Sequence, residues 1–310
     1  MKGFFTQGFI ILLNNKIDLS KMRENLQTYN IVKETPANAE WTISGPAYII
    51  EYKKDINGYI SIDLVDKVWP DGMGDPKDDP KLFAAWSMGH FGPYAYSGGL
   101  SRAIQQSWGW QDVNVEVSKH CSFLRLRLSY SFGAEPNSPL GPKNYDPIEE
   151  LTFMTSMAAS LLNSKYAICY YNPNGEILLN KMMLDESFNF CKQNNLPALN
   201  VWSNIRLFNV AENWCLMDSV GSLQFDLPDH ELCYPKGEYK PEEVDRFIRN
   251  ITLYLIKNGR VIKNGDTGDG PGNIKWRASL MENSLSDPPR ETIRWVPSNI
   301  SKIPDVFKKN

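Results

Sequence analysis

The chain has no excess of charge of one sign, no paired cysteine motif and no long apolar run, and each absence removes a class of function. Thirty-three Lys and Arg stand against thirty-six Asp and Glu, a net charge of -3, so nothing draws the molecule as a whole to phosphate backbones or anionic lipid. Neither nucleic acid nor a membrane is expected as its partner. The five cysteines, Cys121, Cys169, Cys191, Cys215 and Cys233, are odd in number and scattered. They lack the C-x-x-C spacing of zinc ribbons and redox pairs and read as reduced, mostly buried thiols of a cytoplasmic protein. The apolar run in "MKGFFTQGFIILLNNKID" is interrupted by Thr6, Gln7 and Gly8 and is followed by no small-x-small cleavage site. It reads as a β-strand and not as a signal peptide, and no later run reaches the ~18 apolar residues of a membrane helix.

The chemical motifs are missing as well. There is no G-x-S-x-G elbow and no H-E-x-x-H helix. "GDTGDGPG", residues 265–272, has glycines that let backbone N–H groups approach an anion, but it lacks the Gly-Lys-Ser/Thr end of a P-loop and the spacing of a dinucleotide loop. Its two aspartates repel phosphate, so an exposed acidic turn is expected, and no cofactor. In "WPDGMGDPKDDPKLFAAWSMGHFGP", residues 69–93, Asp71, Asp75, Asp78 and Asp79 lack the alternating ligands and terminal Glu of an EF-hand loop. Successive turn dipeptides explain that stretch, with Asp79-Pro80 opening a helix whose apolar stripe is Leu82, Phe83 and Trp86. His90 has no motif partner and reads as a packed residue. Asp229-His230-Glu231 carries three proton-transfer groups, but neighbours on an extended segment point to opposite faces. Arg125 and Arg127 share one face of "CSFLRLRLSYSF", as a solvated or salt-bridged surface, with an anion site as the less favoured reading.

What is present is a run of periodic elements. Asp18 caps a short helix with Leu19, Met22, Leu26 and Tyr29 on one side, and "AYIIEYKKD" and "YISIDLV" form a hairpin through Asn57-Gly58. A similar order returns after residue 116: a strand at "CSFLRLRLSYSF", a Pro-rich loop from Gly133 to Asp146, a helix burying Leu151, Met154, Ala158 and Leu161, and a hairpin turning at Asn174-Gly175. Further on come a helix near Leu184–Gln193, strands at "ALNVWSNIRLFNV" and "WCLMDSVGSLQF", and a helix from Pro241 that buries Val244, Phe247, Ile248, Ile251 and Leu255 and ends at Gly259. The fold class is α+β, mostly antiparallel sheets with packed helices, arranged as two similar strand-helix-hairpin halves, 1–115 and 116–310, packed as one compact unit.

Aromatic and acidic residues gather in the turn-rich loops: Trp69, Trp86, Trp108, Trp110, Asp71, Asp75, Asp266, Asp269 and Trp295. Aromatics flanked by charge are the usual anchors of protein interfaces. The words "WPDGMGDPK", "LFAAWSMGHFGP", "NPNGE", "GDTGDGPG" and "ENSLSDPPR" together resemble a bacterial family of uncharacterised function found beside type VI secretion and Rhs polymorphic-toxin genes. The resemblance runs over essentially the full chain. It implies an immunity protein that binds a cognate secreted toxin one to one in the cytoplasm and occludes its active site without catalysis. It further implies a toxin of the ADP-ribosyltransferase class. The family brings no catalytic residues to carry over; Trp69, Asp71, Asp75, Asp78, Asp79, Asp266, Asp269 and Trp295 are the expected toxin contacts. The alternatives are a metal-dependent hydrolase using Asp71, Asp75 and His90, or Asp266, Asp269 and His230, and a structural or regulatory subunit of a secretion system.

Overall fold

The apolar N-terminal run becomes the middle of a sheet. In the computed structural model, which describes residues 3–38, 43–132, 134, 140–143, 145–300 and 302–308, β1 (Gln7–Leu13) is buried along its whole length. It is hydrogen-bonded on one side to β5 (Ser122–Ser129) and on the other to β6 (Ala167–Asn172), both antiparallel. The chain is α+β, and its strands fall into two sheets. Two units divide it, Met1–Trp202 and Ser203–Asn310.

The first unit holds a seven-stranded sheet in the order β2-β3-β4-β5-β1-β6-β7, with β2 (Ile31–Thr35), β3 (Ala47–Lys53), β4 (Gly58–Val65) and β7 (Ile177–Leu179) completing it. One face is covered by a 3-10 helix (Leu19–Leu26), capped by the Asp18 carboxylate as expected, and by a long helix (Pro147–Leu161) that buries Leu151, Met154, Ala158 and Leu161. Three short helices follow the loop after β4: α1 (Pro80–Ser87), α2 (Gly99–Gln105) and α3 (Val113–Ser118). The long helix is α4, and α5 (Lys181–Gln193) and α6 (Leu199–Trp202) close the unit. Residues 199–202, expected as strand, form this helical turn; the strand starts only at Asn204. Half of the Pro-rich loop, residues 133, 135–139 and 144, lies outside the described residues.

The expected boundary at 115/116 is not where the units part, because β5 pairs with β4 and β1 and so ties residues after 116 into the sheet begun by residues before it. Both strand-helix-hairpin segments share that one sheet. Their hairpins differ in order: β4, the second strand of its hairpin, lies next to β5, whereas β6, the first of its own, lies next to β1. That reversal is not what a repeated segment would build, since a duplicated connection keeps the same strand innermost.

The second unit holds a six-stranded sheet, β11-β12-β13-β10-β9-β8: β8 (Asn204–Ala211), β9 (Trp214–Val220), β10 (Asp229–Pro235), β11 (Thr267–Gly270), β12 (Ile274–Met281) and β13 (Thr292–Pro297). All neighbours are antiparallel except β10 and β13. That parallel pair needs a long connection, supplied in part by α7 (Pro241–Asn258), which opens on a proline and ends at Gly259 with φ +77°. Its buried side is the expected Val244, Phe247, Ile248, Ile251 and Leu255, set against Trp276 and Trp295. All five cysteines are free. Among the described residues no helix is long and apolar enough to cross a membrane.

Candidate functional site

The loop after β4 is built around a tryptophan that never reaches the surface. Trp69 is 3% exposed and its ring meets Trp86, Phe91, Phe123 and Tyr171 edge-on at 5.2–6.0 Å between centroids. Its backbone N–H donates to His120 Nε2 at 3.1 Å. Trp69 is therefore a core residue and is withdrawn as a toxin contact. The Asp71 carboxylate accepts the Leu100 N–H at 2.7 Å, the Ser101 N–H at 2.9 Å and the Ser101 hydroxyl at 2.7 Å, which fastens the start of α2 to the loop. Asp75 accepts the Lys77 N–H at 2.8 Å and closes a turn; Asp79 accepts the Leu82 N–H at 2.9 Å as the N-cap of α1. Asp75 and Asp78 are the exposed carboxylates here. Of the loop tryptophans, Trp108 is the one displayed, 79% exposed.

The second unit brings three of the expected contact residues together. Asp266, Asp269 and Trp295 all line a groove of about 640 Å³ between α7 and β11, together with Tyr254. Trp295 is only 2% exposed and donates its indole N–H to His230 Nδ1 at 3.3 Å; Phe247 meets it edge-on at 5.5 Å. It forms part of the floor, so its expected role as a displayed anchor is corrected. The rim belongs to exposed Asp266 and Asp269 and to Tyr254, 51% exposed. Asp269 pairs with Lys275 at 2.6 Å with both side chains largely exposed, a geometry worth little in water and easily exchanged for another cation. A second cavity of about 420 Å³ adjoins it through Phe247, Asn250 and Asp269 and reaches Glu243 and Arg246. The expected acidic turn is thus in part a short strand at the end of its sheet, where one row of backbone N–H and C=O groups has no neighbouring strand among the described residues.

The residues proposed for metal hydrolysis do not assemble. His230 is fully buried, and burial drives its pKa down to about 3, while Asp266 and Asp269 stand on the exposed rim. Asp71 is spent on the start of α2, and His90, pushed down to about 4 by burial and by Arg127 and Arg125, lies against Phe5. Among the described residues no three His, Cys, Asp or Glu side chains form a metal-ligand set.

Two buried charge networks hold the sheets, the first expected only in part, as a salt-bridged surface. In the first unit Arg125 and Arg127 both grip Asp63 of β4, at 2.6 Å and 3.1 Å, so these arginines are salt-bridged but not solvated. In the second unit Arg206 takes Asp218 in a two-pronged bond (3.0 and 2.7 Å), Arg290 spans Asp218 and Asp229 at 2.6 and 3.1 Å, and Arg294 holds Glu231 at 2.9 Å. Asp229 and Glu231 thus face away from His230, as the alternation of a strand requires. Arg290 also binds the carbonyls of Ser286 and Pro288, so "SDPPR" is a loop pinned onto the sheet. The signal for the first network was in the sequence: Asp63 sits in the polar phase of "YISIDLV", as the arginines do in their own strand.

A family model described as a domain of unknown function, DUF4261, matches residues 218–296. The matched stretch runs from Asp218 to beyond Arg294 and takes in the groove between α7 and β11. No curated protein and no solved structure matches the chain.

Proposed function

We propose that this chain is a stoichiometric immunity protein: it binds a cognate Rhs or type VI secretion toxin domain in the cytoplasm and covers that toxin's active cleft. The observation that supports this reading best is the groove between α7 and β11, where exposed Asp266 and Asp269 stand over an apolar floor beside an unpaired strand edge. A rigid surface with an acidic rim complements a basic, substrate-binding cleft and needs no chemistry of its own. The buried carboxylates Asp63, Asp218, Asp229 and Glu231 are taken up by arginines and serve the scaffold. Trp108, the exposed loop indole of the first unit, is a second anchor of the kind that dominates interface energetics. An ADP-ribosyltransferase is the toxin class that the sequence resemblance favours.

The test is co-expression with the polypeptide encoded beside the gene. A one-to-one complex and restored growth are expected. Absence of both, or loss of secretion on deleting the gene without self-intoxication, would replace this reading with that of a secretion subunit.

A further inference from the structure

The seven-stranded sheet of the first unit carries a further cavity, unrelated to the groove above. It measures about 660 Å³ and is lined by Lys33, Asn38, Ser44, Tyr59, Asp63 and Arg127 among others. That volume is in the range of small-molecule sites. Its lining mixes hydroxyl, amide and aromatic groups with apolar Val32, Ala47 and Ile49, the composition of a pocket that orients one polar ligand on an apolar wall.

Among the described residues the charge beneath this cavity does not balance. Arg125 and Arg127 are both buried, 2% and 9% exposed, and Asp63 is the carboxylate they share. Among the described residues it is the acidic group acting on Arg127. His90 adds no compensation, since burial and the two guanidiniums keep it neutral at physiological pH. The second unit's network pairs Arg206, Arg290 and Arg294 with Asp218, Asp229 and Glu231, three against three. Among the described residues the first has two cations for one anion. A buried charge left without a counter-charge is costly, and charged groups perturbed by burial beside a cleft mark a candidate ligand site.

Arg127 also has unused donor capacity. One Nη donates to Asp63 and the other approaches His90 Nδ1 at 3.4 Å, while the Phe5 ring covers the guanidinium plane at 4.6 Å. Its Nε has no hydrogen-bond partner. Lys33, exposed, supplies a further positive charge on the same lining. A guanidinium with an unpartnered N–H is a strong donor to an oxyanion.

We propose that this cavity binds a small organic anion, a carboxylate or phosphate ester, whose oxyanion supplies the counter-charge missing from the Arg125–Asp63–Arg127 cluster and whose body lies along the Lys33–Tyr59 wall. The site is independent of toxin binding.

The purified full chain is titrated with inorganic phosphate and, separately, with acetate, with ionic strength held constant by chloride. Backbone amide and arginine Nε–H resonances are followed. Saturable shifts at Lys33, Asn38, Ser44 and the Arg127 side chain are expected for at least one probe. Lys33→Ala, an exposed change that leaves the core alone, is expected to weaken that binding several-fold. Arg127→Lys, which keeps the charge beside Asp63 but removes the unpartnered Nε–H, is expected to weaken it at least tenfold. No saturable shift with either probe, or shifts that neither substitution alters, would overturn the proposal.

Discussion

At the scale of single residues, the same side-chain types that suggest a site are spent on the scaffold. Asp71 accepts three hydrogen bonds at the start of α2, so Asp71→Ala is expected to cost about 1–2 kcal/mol in urea unfolding and to leave toxin binding unchanged. Unchanged stability with lost binding would make Asp71 a contact instead. His230 gives a pH prediction. Burial lowers its folded-state pKa from the ordinary 6.5 to about 3, so between those values the unfolded chain takes up a proton that the folded chain refuses. Stability therefore falls as the pH falls through that window, by up to about 1.4 kcal/mol per pH unit from this residue. His90, lowered to about 4, acts in the same direction. His230→Asn keeps an acceptor for the Trp295 indole and removes one titration. Its stability is expected to decline less steeply than the parent's between pH 6.5 and 4.5, where the paired carboxylates Asp63 and Asp218, with pKa values held below the usual range, remain ionised. An unchanged slope in unfolding curves across that range would contradict the burial of a neutral imidazole.

At the scale of elements, periodicity and caps were legible. The buried stripes of α4 and α7, the Asp18 and Asp79 caps and the Gly259 stop all stand where the spacing put them. What spacing cannot show is which strand lies beside which, and the misplaced boundary and the missed networks both follow from that. Arg125 meets Asp63 across 62 positions and Arg290 meets Asp218 across 72, distances over which no local pattern carries information. Trp69 and Trp295 were misplaced for a related reason: aromatic residues near glycine and proline mark both displayed loops and loops pinned onto a core. Pairing also sets local stability. β1 is buried and bonded on both sides, whereas β11 is a short exposed end strand. Native-state hydrogen exchange is expected to be at least ~1,000-fold slower in Phe9–Leu12 than in Thr267–Gly270. Comparable rates would mean that the β11 edge is held by something other than β12.

At the scale of the whole molecule, the acidic groove and the exposed Trp108 belong to different units, and the immunity reading draws on each separately. The groove is the more specific feature, because it gathers Asp266 and Asp269 beside an open strand edge within the stretch that the family model matches. The most direct test is the dissociation constant between this chain and the polypeptide encoded beside its gene, measured for the parent and for the Asp266→Lys, Asp269→Lys double variant. Both residues are exposed, so the fold should survive the change. One-to-one binding, weakened at least tenfold (about 1.4 kcal/mol) by the charge reversal, is the expected result. No binding, or binding of equal strength in both proteins, would contradict the assignment of this groove to toxin neutralisation.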